Sequence, residues 1–213
     1  RYILFYNKKF LKEYLIFFII CFILSVDIVA NIKLEWDGHG WLIHTLNFKE
    51  NYNFFDFQSS PRALAYNQPH LGAIFWSLLW KISILDYEYF GRIFYVIVYF
   101  ISIAAVAENI SIKFINRVLI ISILIFLTYD KFLFSGYQEI LTFSIIVIIC
   151  NYTYKTNLRK LSIIQLLFLY FSVSLLLWTK NEGIIFFLIF SFYLGYFLNF
   201  KKKFFFLFLC LFL

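Results

Sequence analysis

Apolar residues in this chain come in long blocks separated by short polar punctuation, the pattern of helices that are hydrophobic on every side rather than along one stripe. The blocks run from Lys12 to Ile32, Gly91 to Asn109, Val118 to Tyr129 with a few residues more, Glu139 to Tyr154, Leu161 to Trp178 and Gly183 to Asn199, with a further run from Phe204. They are read as about seven membrane spans, the last of them truncated. Leu71 to Leu85 is different: it opens after Pro69, carries Trp76, Trp80 and Lys81, and at about fifteen residues is short for a hydrocarbon layer of about 30 Å. It reads as an interfacial or re-entrant helix. The expected fold is all-α, a polytopic transmembrane bundle with juxtamembrane helices in its first outer loop, residues 33–90.

Composition agrees, since 63% hydrophobic residues exceed what a soluble core can hide. The chain is read as a single transmembrane catalytic module, 1–213. It has no Met and stops within a hydrophobic run, so the expectation is an N-terminal piece of a longer protein. The first block has no small-residue cleavage site and is followed by further spans, so it is read as an uncleaved anchor. Cys21, Cys150 and Cys210 lie in apolar runs at spacings that suit neither disulfides nor zinc.

Charge fixes the expected orientation. With Leu71 to Leu85 kept on the outer surface, twelve of the nineteen Lys and Arg residues gather inside: Arg1, Lys8, Lys9, Lys12, Lys113, Arg117, Lys155, Arg159, Lys160 and Lys201 to Lys203. Nearly all the acids then face outward. The net charge of +7 follows from topology and anionic inner-leaflet lipid, with no nucleic-acid partner required.

The longest polar stretch, Leu34 to His70, opens with Glu35 and Asp37 directly after the first span. From Asp37 to Phe48, Leu42, Ile43 and Leu46 fall on one side of a helical wheel and Asp37, Gly40, His44 and Asn47 on the other. The expected helix lies flat on the membrane with its polar stripe toward a cavity. Both prolines, Pro61 and Pro69, lie in this loop and shape it.

The order of parts resembles the GT-C glycosyltransferases: a first helix, then Glu35-Trp36-Asp37, a Pro-containing turn (Asn67 to Leu71), Gly91-Arg92 at the start of the next span, and a later loop with Asp130 and Glu139. It is similar in style to the protein O-mannosyltransferases and bacterial aminoarabinose transferases, which use polyprenyl-phosphate sugars. Those relatives usually show Asp-Glu, where this chain has Asp37-Gly38, and His or Lys followed by Pro-Pro-Leu, where it has Gln68-Pro69-His70-Leu71. The resemblance implies inverting transfer of a sugar from a lipid phosphate to a lipid, glycan or protein acceptor on the outer face. No cofactor is called for, although some members of the superfamily use a carboxylate-held divalent metal.

The residues suit that chemistry on their own terms. Displacing a lipid phosphate from an anomeric carbon requires a carboxylate to take the acceptor proton and cations to hold the leaving group. Asp37 is the expected base, with Glu35 as the alternative; Arg62, His70 and Lys180 are the phosphate candidates, and Asp130, Glu139 and Glu182 the substrate-orienting acids. Each has a plainer reading, as a solvated loop charge, a helix-end carboxylate or an interfacial cation. His39 and His44 have no metal-ligand spacing. Asp27 and Glu108 lie near span ends, within reach of water. Three rivals remain at this point: a lipid-linked polysaccharide polymerase or ligase, expected to carry paired arginines in its outer loops, a secondary transporter, expected to show an internal repeat and charges within its spans, and a non-catalytic membrane scaffold.

Overall fold

The computed structural model describes residues 8–50, 70–84, 86–111 and 113–198. Among the described residues there are eight α-helices and no strand: α1 (Lys8–Asn31), α2 (Trp36–Lys49), α3 (Leu71–Ile82), α4 (Tyr89–Ile110), α5 (Phe114–Thr128), α6 (Glu139–Lys155), α7 (Ile163–Leu175) and α8 (Gly183–Phe197). Short 3-10 turns precede α6 and α7 and follow α7 directly (Leu176–Trp178). Two helical stretches, Glu13–Asn31 and Tyr89–Ile110, are long and apolar enough to cross a membrane.

Helix α4 is the centre, packed against α1, α3, α5 and α6. Its buried face, Ile93, Val96, Tyr99, Phe100, Ile103 and Ala107, meets Ile140, Ile145 and Ile149 of α6. These positions recur at three and four residues, so a side chain on each turn is delivered to the same seam. The remaining faces stay apolar and open. α1 exposes Leu15, Ile16, Ile19, Ile20 and Ile23, α5 has no buried residue at all, and α8 exposes Ile184, Leu188, Ile189 and Phe192.

One side chain settles how the ends are arranged. Arg92, in the first turn of α4 and 4% exposed, donates from Nη1 to the carbonyls of Ile32 (2.9 Å) and Phe134 (3.2 Å) and from Nη2 to that of Val29 (3.1 Å). Its Nε and Nη2 also reach Oε1 and Oε2 of Glu88, at 2.8 and 3.2 Å. The last turn of α1 and the first of α4 therefore lie at one end of the bundle. The chain between them, with α2 and α3, leaves and returns at that same end. α2 and α3 are 14 and 12 residues long, only about 21 and 18 Å at 1.5 Å per residue.

The opposite end has its own ties. Arg117 of α5 pairs with Glu13 of α1 at 3.1 Å, and Asn109 of α4 donates to Asn151 of α6. Ser162 caps α7 in a reciprocal box with Gln165.

The amphipathic reading of α2 is corrected in one respect. His44 and Asn47, expected to face a cavity, are 1% and 0% exposed, while Leu42, Ile43 and Leu46 are only half-buried. α2 packs on α3, with His44 and Phe48 against His70 at the start of α3, so the His44–Asn47 half of its polar stripe faces protein while Asp37 stays exposed.

Replacing Arg92 by Met is expected to lower stability by about 3–5 kcal/mol, because Glu88 and three carbonyls lose a buried cationic partner. Lys at 92 recovers only part, lacking the fork. Thermal unfolding of the purified protein in detergent checks this, and an unchanged transition for Arg92→Met rules out the arginine as the tie.

Candidate functional site

The turn that starts α2 is tight. The Gly38 amide donates to the Glu35 carbonyl at 2.6 Å, and Trp36 between them takes φ +23°, a region unusual for a non-glycine residue. The turn is shaped by what it leans on. A Cβ at Gly38 would run into the Ser135 carbonyl, and the Gly38 Cα lies 3.1 Å from where a Cβ at Gly136 would stand. Gly136 itself has φ +97°. Two glycines therefore let the start of α2 touch the loop before α6, with backbone against backbone. The Asp-Glu pair of the resembling enzymes cannot be accommodated with this packing, since position 38 has no room for a side chain.

The second loop is more buried than a solvent loop. Phe134, Ser135 and Gln138 are each 2% exposed or less, and the Gln138 side-chain amide donates to the Tyr95 hydroxyl at 2.7 Å. This anchoring aims the first turn of α6, and with it Glu139, at the loop before α8. There Lys180 forms an ion pair with Glu139 and lies 3.9 Å from Glu182. Thr142 holds the same loop, its hydroxyl donating to that of Thr179 at 2.9 Å, which donates to the Leu176 carbonyl at 2.8 Å.

Burial works against the Lys180 ammonium, but the bonded Glu139 carboxylate, then Glu182 and Asp37, more than offset it and raise its pKa above the ordinary lysine value. Glu139 and Glu182, from two separate segments, thus meet at Lys180, while Asp37 adds a weaker, longer-range influence on it. Below them runs a groove of about 340 Å³ lined by Glu139, Thr142, Phe143, Ile146, Lys180, Glu182, Gly183 and Phe186. Its volume falls at the lower end of the range for small-molecule sites.

The remaining sequence candidates sit elsewhere. Asp37 is exposed and Glu35 half-buried, with its side chain making no capping bond to α2. His70 is 4% exposed, its ring 5.2 Å from that of His44 and 5.6 Å from that of Phe48, so it belongs to the α2–α3 seam. Burial also pushes the His44 imidazole below its usual pKa. Asp130 is exposed at the start of the second loop, and its carbonyl accepts from the Leu133 amide at 3.1 Å. Arg62 lies outside the described residues. Among the described residues, no group of three or more His, Cys, Asp or Glu is arranged to hold a metal.

Sequence reasoning missed Gln138, Thr142 and Thr179, which position the charged residues without carrying charge themselves. The only available signal was their place at helix ends, and polar residues there are common. Compared with models of protein families, with curated proteins and with solved structures, the chain matches none of them.

Gly38→Ala is expected to destabilise the protein by roughly 1–3 kcal/mol, the usual range for overpacking, because the Ser135 backbone must move. Gly40→Ala, where a methyl group meets open space, is the control. Equal unfolding temperatures for the two variants would rule out the Gly38 contact as a packing constraint.

Proposed function

We propose that this chain is the catalytic module of a multi-pass membrane glycosyltransferase that moves a sugar from a polyprenyl phosphate to an acceptor at the outer face. The observation that carries this reading is the meeting of Glu139, Lys180 and Glu182 at one end of an all-helical bundle, the end where the Gly38 backbone, next to Asp37, abuts the Ser135 carbonyl. Beside them lie two short helices, and below them a groove with apolar walls. The open apolar faces of α1, α5, α7 and α8 suit a surround of lipid tails, since soluble monomers seldom expose so much contiguous apolar surface. Lys113, Arg117, Lys155, Arg159 and Lys160 stand at the end of the helices opposite the acids, which suits an inner end and an N-terminus inside.

In this reading the chemistry is one inverting displacement. The acceptor hydroxyl oxygen attacks the anomeric carbon, its proton passes to the Asp37 carboxylate, and the bond from carbon to phosphate oxygen breaks as the lipid phosphate leaves. Asp37 suits the base because it is exposed where an acceptor arrives. Lys180 suits the departing phosphate as a compact charge at the mouth of the groove. Glu139 and Glu182 orient the polar substrate. Glu35, a residue away across a strained turn, is the alternative base.

Membranes carrying the protein and a pool of polyprenyl-phosphate sugars test this. Native protein is expected to transfer sugar, and Asp37→Asn to lose at least about 100-fold in rate with expression unchanged. Retained transfer in Asp37→Asn moves the base to Glu35. No transfer by native protein from any donor overturns the class and favours a polymerase or a transporter.

A further inference from the structure

Lys180 already has an anion bound to it, and that anion belongs to the protein. We infer that Glu139 is a built-in substitute for a lipid head group: it occupies Lys180 in the resting state and must swing away before a phosphate-headed amphiphile enters the α6–α8 groove. The inference deepens the glycosyltransferase reading and rests on its claim that this groove takes a lipid phosphate.

The shape of the groove defines the ligand. Glu139, Thr142, Phe143 and Ile146 lie on successive turns of α6, so one wall passes from charged to apolar within about 10 Å. From the α8 side the lining passes from Glu182, just before the helix, to Gly183 and the apolar Phe186. A free phosphate would use only the mouth, whereas a phosphate carrying an alkyl or prenyl chain would also fill the walls. Burial of that chain contributes roughly 0.8 kcal/mol per methylene.

The hold of Glu139 on Lys180 is incomplete. One carboxylate oxygen, Oε1, is bonded to the ammonium; the other, Oε2, is buried and has no hydrogen-bond partner among the described residues. A buried acceptor left unmade is unfavourable, so the closed state is held less firmly than a fully bonded pair. Glu182, at 3.9 Å, is too far from Lys180 for a hydrogen bond. A phosphate brings several acceptor oxygens to the same three-donor ammonium, at a helix N-terminus that favours any anion. While Glu139 remains, the entering phosphate also meets its charge and that of Glu182. Native affinity for an anionic head is thereby suppressed, and the seat favours ligands whose chain supplies the missing stabilisation.

The test titrates dodecyl phosphate into the full chain in nanodiscs of zwitterionic lipid and reads Kd. Glu139→Gln is expected to bind about tenfold tighter than native, because both competitor and repulsion are gone. Glu139→Asp, which keeps the charge but shortens the reach, is expected to fall between them and serves if the Gln variant does not fold. Lys180→Met is expected to lose binding about tenfold or more. Inorganic phosphate alone is expected to give no response at concentrations where dodecyl phosphate saturates. The inference is overturned if Glu139→Gln and Glu139→Asp bind no tighter than native, if Lys180→Met binds as native does, or if inorganic phosphate competes equally. Tighter binding by Glu139→Gln in a protein that transfers no sugar would keep the seat and remove the enzyme. Asp37-dependent transfer without that tightening would do the reverse.

Discussion

A guanidinium taken out of water must find an acceptor for each of its five N–H groups, and Arg92 finds them in three separate pieces of the chain. Two are carbonyls in the last turn of α1 and just beyond it, where the helix has run out of its own donors. One belongs to Phe134 in the loop before α6, and the remaining acceptors are the two oxygens of Glu88, a turn earlier on α4. Helix ends leave carbonyls unsatisfied and loops leave them exposed. A single buried fork answers both needs and also fixes which ends lie together. The placement of α2 and α3 at that end follows from it, as does the approach of the second loop to the start of α2.

From that constraint the arrangement of the acids follows by contact. Arg92 draws the Phe134 carbonyl in, Ser135 and Gly136 follow it into the core, and Gly38 is the side-chain-free surface they meet. Asp37, one residue before that contact, has its backbone placed by it. Glu139, three residues after Gly136, is delivered by the Gln138 bond to Tyr95. The glycine that departs from the resembling motif is thus the residue that sets the spacing between the two loops. A carboxylate at position 38 would have to be bought with a different packing of this end.

How much of this was legible in the sequence depends on the interaction concerned. The helices from α3 to α8 stand within a few residues of the hydrophobic blocks, because a backbone with no polar side chain nearby must satisfy itself by helical bonds. α2 was recognised as a helix from its wheel but its buried face was reversed. His44 and Asn47 look wet by type, yet they pack at the α2–α3 seam, and only knowledge of the partner helix could reveal it. His70, a phosphate candidate because its loop lies near the lipid surface where that phosphate sits, is buried at that same seam. Arg92 was noticed as a motif position, but its role lies in backbone acceptors, and those leave no trace in residue types. The pairing of Lys180 with Glu139 joins positions 41 residues apart. No local pattern links two such charges.

The two ends of the bundle hold their charges differently. At the opposite end, Arg117 meets Glu13, with Glu108 and Tyr14 on the same small cavity. At the other end, two carboxylates flank one ammonium, and one oxygen of Glu139 is buried without a hydrogen-bond partner among the described residues. Replacing Glu139 by a neutral residue of similar size would relieve both the repulsion and the orphaned oxygen. A protein shaped only for stability would keep the Lys180 side chain paired once and shed the extra charge. Local conflict of this kind is expected where a site must exchange one anion for another, since a pair satisfied in full would not let go.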